Sequence, residues 1–138
     1  MKIIVTRNFN VPAEKVWNVL EDFGNMGWLN MADISIEVIG EDIGMVRRVS
    51  LNGQYIDDRL ESMDKQAKLL TYSIDECELF PFKNYLAQMT VEKTTELECK
   101  MTWMSHFEEG DMAKDEAESM MTFNYNTMLD SLAAHVES

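Results

Sequence analysis

The sequence predicts an α+β fold: a curved antiparallel sheet of about seven strands wrapped around one long C-terminal helix, with two short helices after the first strand. Three observations carry this prediction. From Asp111 to Val136, the residues Ala113, Ala117, Met120, Met121, Tyr125, Met128, Leu129, Leu132 and Val136 recur at helical spacing. Asp115, Glu116, Ser119, Asn126 and Asp130 fall on the opposite side. From Ile34 to Glu108 the apolar period changes to two, as in strands with one buried face. Between two of those extended runs stands Asn52-Gly53, the preferred two-residue type I′ hairpin turn.

Taken in order, Lys2 to Phe9 holds Ile3, Ile4 and Val5 and reads as a first strand, ended by Pro12. Pro12 is well placed to open a short helix running to about Asp22, with Val16, Leu20 and Phe23 on one face. Gly24 and Gly27 punctuate a second short segment, Asn25 to Asn30, read as the second helix. Ile34, Ile36 and Val38 begin the meander, and Gly40 and Gly44 mark a turn. Met45 to Leu51, Gln54 to Met63, Leu69 to Asp75, Lys83 to Thr94 and Leu97 to Glu108 follow as strands. Phe80-Pro81-Phe82 reads as a loop, because proline cannot donate to a ladder. In the last strand Leu97, Cys99, Met101, Trp103, Ser105 and Phe107 share the inward side; Tyr85, Ala87, Met89 and Val91 do so in the one before. A curved sheet and a single helix leave an elongated cavity between them, with its mouth where loops and short helices meet.

At 138 residues the chain is expected to form one domain over 1–138, burying roughly two-thirds of its unfolded surface. Its formal net charge of −13 repels phosphates and anionic lipid surfaces, which argues against nucleic-acid partners and stable membrane insertion. Cys77 and Cys99 have no metal-type spacing, and no apolar run resembles a secretory segment or a membrane span. A cytoplasmic protein with free thiols, monomeric or weakly dimeric, is the expectation. Twelve methionines would fill core gaps or line a pliable cavity.

The two-residue turn places Leu51 opposite Gln54, and hence Arg47 opposite Asp58 and Arg48 opposite Asp57. Arg47 and Asp58 belong to the apolar parity of their strands, so this pair should point inward while Arg48–Asp57 is solvated. Burying two ions costs several kcal/mol each. The pair is therefore either a brace that fixes register or a polar contact for a ligand or bound water. Tyr72, Tyr85, Trp103 and Ser105 are further inward polar or amphipathic groups, each able to serve simply as a hydrogen-bonded core residue. Asn124 shares a helix face with Met120 and Met128, and its amide needs a partner: cavity water, Ser105 or a ligand. His106 has outward parity and His135 lies in the last helical turn. Neither has a Ser or Cys nucleophile at a recognisable spacing, and no HExxH, P-loop or GxGxxG motif occurs. No metal site and no cofactor are expected.

The runs "GMVRRVSLNG", "DDRLESMDKQAKLLTYSI", "FKNYLAQMTV", "TWMSHFE" and "NTMLDSLAAHV" resemble the START-like (SRPBCC) superfamily of the birch-pollen allergen, in its polyketide cyclase/dehydrase and lipid transport branch. The resemblance spans nearly the whole chain through loose motifs, and implies a helix-grip fold with a cavity for steroids, polyketides, lipids or plant hormones. Position by position it implies that Asp58, Tyr72, Tyr85, Ala87, Trp103, Met120, Asn124 and Met128 line that cavity. The plant hormone receptors of the superfamily have a proline-containing gate where this chain has Asn52-Gly53, and a His-Arg-Leu latch where it has Phe80-Pro81-Phe82. Those departures argue against a hormone-receptor role. The leading expectation is a binding protein for a small hydrophobic molecule oriented by Arg47, Asp58 and the inward aromatics. The alternatives are a metal-free polyketide cyclase, dehydratase or isomerase and a co-chaperone or toxin-like interaction module.

Overall fold

The computed structural model describes the backbone of residues 1–138 and every side chain except that of Glu76. Its elements run β1 (Lys2–Phe9), α1 (Ala13–Glu21), β2 (Ile34–Ile39), β3 (Val46–Leu51), β4 (Gln54–Asp64), β5 (Leu69–Cys77), β6 (Lys83–Lys93), β7 (Cys99–Glu108) and α2 (Lys114–Val136). The strands form one seven-stranded antiparallel sheet in the order β1-β7-β6-β5-β4-β3-β2. The meander from β2 to β7 is thus laid down strand by strand, and β1 returns to flank β7. This is the helix-grip α+β architecture anticipated from the periodicities.

The hairpin arithmetic holds. Asn52 and Gly53 both have positive φ, 52° and 81°, as a type I′ turn requires. The register pairs Leu51 with Gln54, Arg47 with Asp58 and Arg48 with Asp57. Two irregularities then interrupt the β4–β5 ladder, at Asp57/Asp58 and at Leu60/Ser62. Each bends the sheet. The second also changes parity, so that Met63 instead of Ser62 turns inward, opposite Leu70.

α2 lies on the concave face. Ala117, Met121, Tyr125, Leu129, Leu132, Ala133 and Val136 are its buried residues, most of them four apart. Asp115 and Glu116 in its first turn complement the positive end of the helix dipole. On the sheet side Tyr85, Ala87, Met89 and Val91 of β6 and Cys99, Met101, Trp103, Ser105 and Phe107 of β7 are all buried, at the parity read from the sequence. α1 closes one end, burying Ala13, Val16, Trp17 and Leu20.

Three expectations fail locally. Asn25 to Asn30 forms no second helix: Asn25 N–H donates to the Asp22 carbonyl and Leu29 N–H to the Met26 carbonyl, giving separate turns. The Asn25 side chain accepts from Gly27 N–H, a local bond that competes with helix. Leu97 is 72% exposed, because the chain turns at Thr95–Glu98 before β7 begins at Cys99. Ala113 is the exposed N-cap of α2 and not part of its buried stripe.

Candidate functional site

Between α2 and the sheet lies a cavity of about 300 Å³. β3, β4 and β5 contribute Val49, Ile56 and Ile74, α2 contributes Met121, Tyr125 and Met128, and the α1–β2 connection contributes Met26, Leu29 and Met31. Phe123, which is 71% exposed, and the exposed Leu79 and Met31 stand at its rim. Most of the wall is apolar, so the polar groups that reach it are conspicuous.

Arg47 and Asp58 do reach it, each only 6% exposed. β3 and β4 bring them face to face through the turn-fixed register. Arg47 Nε and Nη2 donate to the same carboxylate oxygen, Asp58 Oδ2, at 3.1 and 2.9 Å. Nη1 donates to the Phe23 carbonyl at 3.0 Å, tying β3 to the end of the α1 segment. The guanidinium also sits 4.0 Å from the centroid of the Phe23 ring and 5.7 Å from that of Tyr72. A guanidinium suits this place because it offers several fixed donors and a flat face for aromatic rings. Burial pushes the Asp58 carboxyl up from its ordinary value, while the charge and hydrogen bonds of Arg47 pull against that rise. The second pair, Arg48–Asp57, lies on the other face, with Nε to Oδ1 at 2.7 Å and Nη2 to Oδ2 at 2.8 Å.

Beyond the ion pair the inward aromatics form a hydroxyl cluster. Trp103 Nε1 donates to Tyr72 Oη at 3.1 Å, and the Tyr85 and Tyr125 hydroxyls hydrogen-bond each other. Trp103 and Tyr125 stack, with ring centroids 4.1 Å apart and planes inclined by 11°. Burial pushes the Tyr72 and Tyr85 phenols well above the ordinary value; it takes Tyr125 up to about 12, with neighbouring hydroxyls pulling partly back. Near neutral pH these groups are proton donors and not bases. A folded value near 12 against 10.0 for an ordinary tyrosine means that Tyr125 contributes stability below pH 10, lost as pH rises through about 12. In an alkaline titration the buried phenolates should therefore appear together with the loss of far-ultraviolet circular dichroism. Ionisation of these phenols around pH 10 in a still-folded protein would contradict the packing described here.

Seven of the ten residues singled out from sequence line the cavity: Arg47, Asp58, Tyr72, Tyr85, Trp103, Asn124 and Met128. Ala87, Ser105 and Met120 do not. Ala87 stands between Tyr72 and Ser105 across the sheet, and both small side chains are buried. Ser105 is fully buried and its Oγ has no hydrogen-bond partner among the described residues, so it does not satisfy Asn124. Met120 is half-buried against the core, and the helix presents Met121 to the cavity instead. Tyr125 is the main omission. The sequence places it only in an apolar helical stripe, and the stack on Trp103 and the bond to Tyr85 reveal more. The loop contributors, Met26, Leu29, Met31, Leu79 and Phe80, carry no periodic signal by which to be found.

Phe80, Phe82, Phe107 and Tyr85 form a chain of ring contacts with successive centroids 4.6, 4.2 and 5.7 Å apart, running from the cavity wall to the β5–β6 loop. Gly110 holds this loop close to the entry of α2. A β-carbon there would lie 2.4 Å from the Pro81 carbonyl oxygen, and its φ is +66°. Among the described residues no group of three His, Cys, Asp or Glu side chains is gathered as a metal site would need, and no helix is long and apolar enough to cross a membrane.

Residues 1–137 match the family described as "Polyketide cyclase / dehydrase and lipid transport". No curated protein matches the chain. Among solved structures, an uncharacterized protein from Bacillus thuringiensis superposes with a TM-score of 0.88 at 22% identity, covering 100% of both chains. Norcoclaurine synthase from Thalictrum flavum, solved with dopamine and hydroxybenzaldehyde, gives 0.79 at 14% identity, covering 99% of this chain and 86% of the other. Ara h 8.0201 gives 0.81 at 17% identity, covering 99% and 97%. At these identities the structures establish a shared START-like fold.

Proposed function

The chain belongs to the polyketide cyclase/dehydrase and lipid transport family, and we propose that it holds a small, predominantly apolar molecule in the cavity beneath α2. One observation carries this reading: about 300 Å³ of space with an apolar wall is built around a buried ion pair. Cores normally close-pack, and hydrophobic residues of similar size would often be as stable as Arg47–Asp58. Apolar burial supplies the binding energy, at roughly 25 cal/mol per Å² before association costs. Arg47, Asp58, Tyr72, Tyr85, Trp103, Asn124 and Met128 orient the ligand, with Met121 and Tyr125 added from α2. We place the protein in the cytoplasm, which suits its two free thiols, Cys77 and Cys99.

Thermal shift and native mass spectrometry against steroids, polyketides and fatty acids test this reading. At least one class should raise the melting temperature and remain bound in the gas phase. Ile74→Trp, which fills the cavity from β5, should abolish both effects. A protein that stays empty and unshifted against all three classes would refute the proposal.

A second reading, that the cavity performs cyclisation or dehydration, is favoured by the hydrogen-bonded Tyr85–Tyr125 hydroxyls beside Arg47–Asp58. In that case the phenols donate protons or hydrogen bonds to a substrate oxygen. Turnover that survives combined Tyr85→Phe and Tyr125→Phe would remove them from that role.

A further inference from the structure

The ion pair is asymmetric. Both Arg47 donors that reach Asp58 converge on Oδ2, and no described residue donates to Oδ1. A carboxylate has about four lone-pair sites, and one left empty away from water is costly. Asp58 is 6% exposed, yet it is part of the cavity wall, so what Oδ1 meets is the content of the cavity. Arg47 is the wall's only cation among the described residues, its charge is paired with Asp58, and three of its five N–H donors bond Asp58 and the Phe23 carbonyl. An anionic head group therefore finds no net positive charge there, because the one cation is balanced by a carboxylate in the same wall that would repel it. A neutral head with an O–H meets an acceptor.

We propose that the site selects a neutral ligand bearing an alcohol or phenol at its deep end, whose O–H donates to Asp58 Oδ1 while the apolar body lies against Met121 and Met128. This rests on the reading of the cavity as a binding site and adds the chemistry of its occupant. Asp58 is then the specificity-determining residue, and Arg47 a positioning residue that holds Oδ2 and aims Oδ1 inward.

A matched pair of probes tests the proposal: 2-naphthol, and 2-methoxynaphthalene, which keeps the fused rings but lacks the donor. Calorimetric titration of the wild-type protein should show 2-naphthol binding about tenfold or more tighter, the scale of a hydrogen bond to a charged group. In Asp58→Asn the Arg47 donors should retain the amide oxygen and turn the NH₂ toward the cavity. The preference should then vanish or reverse toward the ether. In Arg47→Met/Asp58→Leu, which removes both charges together, the two probes should bind alike. Equal wild-type affinities that are lost in Ile74→Trp overturn this inference and leave the cavity reading standing. A 2-naphthol preference that persists unchanged in the double variant also overturns it. Binding of neither probe to wild type counts against both readings.

Discussion

Replacing Arg47 with methionine should destabilise the protein by about 3 to 5 kcal/mol, the cost of leaving a buried ion without its partner. Asp58 is 6% exposed and takes its two side-chain hydrogen bonds from Arg47. The loss also frees the Phe23 carbonyl, which accepts from Nη1. Urea denaturation should show the midpoint falling with little change in slope. The deficit should depend on pH. Burial already raises the Asp58 carboxyl above 3.8 in the folded state, and removing Arg47 raises it further. A raised folded value contributes stability that is present below the unfolded one and lost as pH rises through the folded one. The variant should therefore be least impaired below pH 3.8 and progressively worse as the medium becomes neutral. Adding Asp58→Leu should restore most of the loss, because two apolar side chains no longer need each other. A double variant no more stable than the single one would show that the pair is not the origin of the effect.

Leu132→Ala and Asn124→Leu should separate packing from selection along one helix. Leu132 is 1% exposed and lies away from the cavity, so truncation leaves a void in a packed region and should cost about 2 to 5 kcal/mol. Its effect on ligand affinity should be small. Asn124 is half-buried and faces the cavity, so leucine there should leave the denaturation midpoint nearly unchanged while altering which compounds shift the melting temperature. Equal destabilisation by both would mean that α2 is core throughout.

Much of this architecture was legible because its determinants are local and periodic. The Asn52-Gly53 turn alone fixes the Arg47–Asp58 register, since a two-residue loop leaves no freedom in which residues oppose. Alternation in β6 and β7 identified their buried faces for the same reason. What stayed hidden depends on three dimensions. The β4–β5 irregularities change parity without a glycine or proline to announce them. Asn25 to Asn30 has helix-compatible residues, but its side-chain bond to Gly27 N–H wins locally. Ala87 and Ser105 have the inward parity of cavity residues, yet both side chains are small and stay buried short of the cavity wall. Tyr125 and the loop residues join the cavity through α2's rotation and the path of the connections, neither of which is written in any spacing.

The register of the ion pair also bears on how the chain reaches its native state. A β3–β4 hairpin formed one residue out of register would turn Arg48 inward in place of Arg47, but it would also carry Val49 and Leu51 to solvent and bring Ser50 to the inner face. Only the native register both pairs Arg47 with Asp58 and keeps Val49 and Leu51 on the cavity side. Misaligned hairpins should therefore offer α2 a poorer apolar surface, so alignment rests on the two-residue turn and on the apolar residues beside the charges. β2, an edge strand with Val38 and Ile39 about half exposed, completes the sheet on the outer side of β3.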